Sequence, residues 1–177
     1  LAYDIFSPHQ DIISQRIATL SQLHDVRKGV LIIPVSTLQQ RLPPASFYQG
    51  QTFVLDIGST FDVDNTRRQL ENAGYHCVDT VYEHGEYAVR GSIIDIFPMG
   101  QPLPFRIELF DDEIESLRTF DPDNQRTLDK IERVRILPAR EFPLDTTAIR
   151  TFKARWFDFF EQDPKACSVY TDVAQGI

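Results

Sequence analysis

Arg90 stands at a break in a strand-like pattern. In GEYAVRGSIIDIFPMG, residues 85–100, Tyr87 and Val89 alternate against Glu86, Ala88 and Arg90 until Gly91 interrupts and a second apolar run begins. A guanidinium at such a break serves as a solvated face residue, a catalytic group, a phosphate ligand or the anchor of a protein interface. A second arginine lies in FRIELF, residues 105–110, where alternation puts Phe105, Ile107 and Leu109 on a core-like side and Arg106, Glu108 and Phe110 on the other. Arginine beside a large aromatic on an outer face is the pairing enriched at the energetic centres of protein interfaces. The ordinary alternative is that Arg106 pairs with Glu108 or Glu86 across strands while Phe110 folds under the turn, and the alternation leaves both open.

Other chemistries lack their spacing. A phosphate-cradling loop needs GxxxxGK[ST]; GEYAVRGS has five intervening residues, no lysine and strand-forming residues where a loop is wanted, so no nucleotide site is expected. His9, His24, His76 and His84 are scattered and put no two ligands on one helical face. No GxSxG surrounds a serine, and Ser92 lacks the context of a nucleophile elbow. Asp111, Asp112, Glu113 and Glu115 cluster without EF-hand spacing and read as a solvated hairpin turn. No cofactor, metal or catalytic residue is expected in this chain.

These residues need elements to hold them. Before residue 44, SPHQDIISQRIATLSQL reads as an amphipathic helix, with Ser7 as cap, Pro8 in the first turn and Ile12, Ile13, Ile17, Leu20 and Leu23 as its stripe. The apolar run Val30 to Val35 predicts a buried, parallel strand, followed by a helical turn near Ser36. After Pro43 and Pro44 come a strand, TFVLDI, and a helix, DVDNTRRQLENAGY, with an acidic cap region and a terminal Gly74. CVDTVY, GEYAVRG, SIIDIFP, FRIELF, EIESLRTF and IERVRIL then predict an antiparallel meander, turning at FDDE and FDPDNQ. Beyond Pro138, Ile149, Phe152, Trp156, Phe159 and Phe160 form a wide helical stripe. The fold class is α/β, an antiparallel β-meander domain carrying one helix inserted into an α/β domain. The divisions are 1–50, 51–138 and 139–177.

The 177 residues, 42% of them hydrophobic, suffice for a core. With 18 basic against 26 acidic residues the formal charge is −8, which disfavours non-specific binding to nucleic acid. Cys77 and Cys167 lie far apart without CxxC spacing and read as reduced cytosolic thiols. No run approaches the roughly 18–20 apolar residues of a membrane span. The expected location is cytoplasmic, with no membrane partner. Opening at Leu1 and closing on TDVAQGI, the chain reads as a segment of a longer protein.

One long ordered match is specific. GEYAVRGSIIDIFPMG followed by FRIELFDDEIESLRTFDPDNQRT closely resembles the segment shared by the excision-repair protein UvrB and the bacterial transcription-repair coupling factors. YDIFSPHQDIISQRIATL, GVLIIPVSTLQQRL, EHGEYAVRG and FPMG favour the coupling factors. That resemblance implies a UvrB-like amino-terminal module: a degenerate helicase-like α/β domain at 1–50 and 139–177, and an inserted UvrB domain 2-like unit at 51–138 that binds UvrA. By motif, the contact residues it implies are Arg90, Arg106 and Phe110, each expected to face outward and to be replaceable without loss of folding. Other domains of such a protein would bind ATP, RNA polymerase and double-stranded DNA. A UvrB proper, or less readily a metal-dependent enzyme built on Asp111 and Asp112, is the alternative.

Overall fold

The computed structural model describes residues 9–23 and 25–176, and the chain divides after Glu141 into a larger and a smaller compact unit. In the larger unit, α1 (Gln10–Leu23) buries Ile17 against Tyr48, Met99 and Leu137. Ser14 is buried on the same helix because its hydroxyl accepts the Gly100 N–H at 2.8 Å. That approach is close: Gly100 has φ +79°, and a Cβ there would lie 2.8 Å from the Cβ of Ala18. Of the expected stripe, Ile12 is exposed, and the expected cap residues Ser7 and Pro8 lie outside the described residues.

The expected buried strand at Val30 to Val35 is absent. Residues 30–34 join no sheet, and Ile32 is 89% exposed. A strand persists only when its backbone groups find a ladder partner, and the described strands are all paired elsewhere. The helical turn does form, as α2 (Val35–Leu38), followed by α3 (Ala45–Gln51), which carries Tyr48 into the core.

Eight strands follow: β1 (Phe53–Asp56), β2 (His76–Cys77), β3 (Glu86–Arg90), β4 (Ile93–Ile96), β5 (Phe105–Phe110), β6 (Glu113–Phe120), β7 (Thr127–Ile131) and β8 (Arg133–Ile136). Between β1 and β2 runs α4 (Val63–Asn72), capped by the Asp62 carboxylate, which accepts the Asn65 N–H at 2.9 Å. β1 pairs antiparallel with β8 in a small sheet, and the others form a six-stranded sheet ordered β2-β3-β4-β5-β6-β7. Every neighbour pair in it is antiparallel except β2 with β3. Of the strand expected over CVDTVY only Cys77 lies in β2, and Val81 turns away into a small cluster with Ala88, Phe97 and Phe120. IERVRIL is split, Ile131 ending β7 and Arg133 opening β8.

Phe105, Ile107 and Leu109 enter the main core as their alternation requires, together with Leu70 of α4 and its C-cap residue Ala73, Tyr87, Ile94, Ile114, Leu117 and Ile136. Tyr75 ties this core to the chain beyond β8: its hydroxyl donates to the Leu137 carbonyl at 2.6 Å and accepts the Met99 N–H at 3.4 Å. Burial pushes its phenol well above the ordinary tyrosine pKa.

The smaller unit holds α5 (Thr146–Phe159), capped by Asp145, and α6 (Ser168–Gln175) after a 3₁₀ turn at Pro164–Ala166. Trp156 packs against Phe152 and Tyr170, and its indole donates to the Gln162 carbonyl at 3.0 Å. The buried stripe is narrower than expected: Trp156 is buried, whereas Phe159 and Phe160 are exposed.

Replacing Tyr75 by Phe removes one hydroxyl from a site with no water access and leaves the Leu137 carbonyl without this donor. Urea unfolding of Tyr75→Phe is expected to show a loss of about 1–2 kcal/mol; an unchanged midpoint would show that the bond contributes nothing.

Candidate protein-recognition face

The face of the six-stranded sheet opposite the main core is organised by one carboxylate. Asp95, in β4, has a side-chain exposure of 0%. Its backbone faces Ala88 on β3 and Arg106 on β5. Facing residues of an antiparallel pair point the same way. Arg106 grips it with two parallel bonds, Nε to Oδ1 at 2.7 Å and Nη2 to Oδ2 at 2.9 Å. Nη2 of Arg90 donates to the same Oδ2. The Arg106 guanidinium also lies 4.7 Å above the centre of the Phe120 ring, and its Nη1 donates to the Gln125 carbonyl at 3.2 Å. Hydrogen bonding to Asp95 raises the Arg106 pKa above its ordinary value, against the opposing effect of burial.

The pairing of Arg106 with Glu108 or Glu86 is therefore not what holds it. Glu108 accepts the Ser116 hydroxyl at 2.8 Å, and Glu86 accepts the backbone N–H groups of Tyr82 and Glu83. Nor does Phe110 fold under its turn: it is 70% exposed at the end of β5, where Asp111, at φ +54°, reverses the chain. Arg90 ends β3 just before Gly91, whose φ of +62° starts the tight turn into β4. Its side chain is 45% exposed, against 15% for Arg106.

The structure thus brings Arg90 and Arg106 together through Asp95, across the strand between them. Phe110 stands farther along β5, four residues or about 14 Å from Arg106 at strand rise, and two beyond Glu108, which register aligns with Arg90 through Ile93. The aromatic ring under the guanidinium is Phe120, not Phe110. Sequence reasoning missed Asp95, Phe120 and Gln125. Asp95 had a signal: an acid at the centre of IIDIF, with arginines in the strands on either side. Phe120 and Gln125 meet Arg106 only through the β5–β6 register and the turn after β6, for which local pattern holds no clue.

The other candidates do not converge. Among the described residues no group of three or more His, Cys, Asp and Glu has the arrangement to hold a metal ion. His84 bonds the Asp11 carboxylate at 2.9 Å and the Gln101 carbonyl at 2.8 Å while stacking on Phe97; His24 lies outside the described residues. Cys77 and Cys167 are free thiols. No described helix is long and apolar enough to cross a membrane.

Residues 53–142 match the model of the UvrB interaction domain family. Along 99% of its length the chain is 53% identical to a transcription-repair-coupling factor of Escherichia coli, of which it covers 15%. It is 48% identical, over the same share of both chains, to a transcription-repair-coupling factor of Haemophilus influenzae. With one of Staphylococcus aureus it shares 41% identity across 80% of this chain and 12% of the relative. The chain therefore spans only about 15% of the length of the first two.

Asp95→Asn keeps the shape of the side chain but removes the charge that neutralises two guanidinium groups, one of them mostly buried. Chemical denaturation is expected to show a loss of roughly 3 kcal/mol, whereas Arg90→Ala, at a half-exposed partner, costs less than about 1 kcal/mol. Equal losses for the two variants would show that Asp95 is not the fixed point of this face.

Proposed function

The chain belongs to the UvrB interaction domain family, and from that premise we propose that it is the UvrA-recruiting segment of a transcription-repair coupling factor. The observation that carries this reading is the family match at 53–142, joined to end-to-end similarity with proteins named as coupling factors. In it, residues 51–138 are the UvrA-binding domain, and residues 1–50 and 139–177 belong to a degenerate helicase-like α/β domain. The segment recruits its partner by recognition and performs no catalysis. The whole protein is a cytoplasmic, ATP-dependent DNA translocase that links stalled RNA polymerase to nucleotide excision repair, with ATP, polymerase and double-stranded DNA bound by other domains.

The UvrA contact is assigned to Arg90, Arg106 and Phe110. Phe110 offers an exposed ring at a strand end, and Arg90 an accessible guanidinium. Arg106 acts differently. Three of its hydrogen bonds are spent inside the chain, two on Asp95 and one on the Gln125 carbonyl, which leaves two of a guanidinium's five N–H donors for a partner. Those two are held in a fixed direction, so little rotamer entropy is lost when an acceptor arrives.

Titration of UvrA with the chain is expected to show about a thirtyfold loss for Phe110→Ala, with no change in unfolding midpoint because the ring is exposed. Arg90→Ala weakens binding comparably. Arg106→Ala weakens binding and lowers stability together, since it strips Asp95 of its bidentate partner. Wild-type affinity in all three variants would discard this site.

A further inference from the structure

The line of side chains that crosses the sheet through Asp95 does not end at Arg106. Register aligns Arg106 with Arg118 on β6, and Arg118 with Lys130 on β7. Facing partners share a face, so one carboxylate is followed by three cations in a row, with Arg90 reaching that carboxylate from β3. Asp95 is already shared between two guanidinium groups. Glu108, the other acid on this part of the face, takes the Ser116 hydroxyl, and the Glu86 carboxylate is held by backbone N–H groups. Arg118 thus has a cation opposite it in each ladder, an arrangement that disfavours the folded chain. Its Nε is fully buried and, among the described residues, has no acceptor. Buried donors are almost always satisfied; the Arg118 side chain is only part-buried and, among the described residues, makes no hydrogen bond or ion pair, so its outer N–H groups, set in line with two other cations, are the ones an acceptor from outside can reach.

We propose that Arg118 is a further arginine of the recognition face, and that the partner supplies it a carboxylate from an acidic strip running beside Lys130. This rests on the reading that the face binds UvrA, and it specifies the chemistry of the partner surface: a row of acids crossing the strands, rather than one acid aimed at Arg106. Such a row also explains how a chain with a net charge of −8 engages an acidic surface, since the cations are gathered on one line.

The test titrates UvrA with wild type, Arg118→Ala, Arg118→Gln and Phe110→Ala at two salt concentrations, with thermal unfolding of each and a parallel titration of duplex DNA. Both Arg118 variants are expected to bind UvrA at least tenfold more weakly, with a shallower salt dependence than wild type and an unfolding midpoint equal to or above it. Wild-type affinity in the Arg118 variants, with binding lost in Phe110→Ala, overturns this inference and leaves the UvrA reading standing. Absence of UvrA binding by the wild-type chain overturns both. A lower midpoint in both Arg118 variants overturns it by showing an internal partner, and loss of duplex binding without loss of UvrA binding assigns the row to nucleic acid instead.

Discussion

A carboxylate withdrawn completely from water, in the middle of an apolar strand, sets the terms for the face around it. Removing an ion of that size from solvent costs several kcal/mol even after relaxation, while one well-placed guanidinium returns a gross attraction of about 4 kcal/mol at an effective dielectric constant near 20. The two are of the same size, so a single arginine leaves Asp95 near balance. A second tips it. Arg106 supplies the planar two-bond grip and Arg90 the additional charge, and the greater exposure of Arg90 makes its share the smaller. An isolated carboxylate at this position is the expensive alternative, which makes the two arginines interdependent with it.

That pairing also organises what lies beyond it. Once Asp95 fixes the guanidinium plane of Arg106, one side of that plane covers the Phe120 ring and Nη1 reaches the Gln125 carbonyl. Gln125, at φ +61°, closes the turn after β6, and its amide donates to the carbonyls of Val81 and Pro122. Val81 is in turn buried with Ala88, Phe97 and Phe120. The second face of the sheet therefore has a small core of its own, and the chain over 78–82 leaves the sheet to complete it rather than extend β2. The two sides of β4 carry different jobs: Ile94 and Ile96 anchor the main core, and Asp95 anchors the arginines of the opposite face.

What the sequence revealed follows from which forces are local. FRIELF was legible because one side of its strand is buried and the other is not, and alternation records that directly. α4 was legible because its acidic cap and terminal glycine act within a single turn. The pairing of Arg106 was not, because the choice between Glu86, Glu108 and Asp95 depends on strand order and register, which no residue encodes alone. β7 escaped because it is an exposed edge strand, TLDKI, with no buried side to create a period. Val30 to Val35 misled for the opposite reason. Branched apolar residues announce a preference for burial in a sheet, yet the backbone becomes a strand only where a neighbour supplies its ladder.

Under the proposed function, the same geometry bears on how this face would select a partner. A flexible lysine row would attract acids through charge alone, and each side chain would lose its freedom on contact. Arg106 has already lost that freedom inside the fold, held from below by an aromatic ring and from the side by a carboxylate and a carbonyl. Its free donors consequently demand an acceptor at a defined place, and a partner whose acid is displaced meets a desolvated guanidinium it cannot satisfy. Specificity then comes from the penalty on wrong partners as much as from attraction to the right one. Because one carboxylate faces two guanidinium groups, the cluster keeps a positive excess after its internal pairing is complete, and that excess is what remains available for recognition.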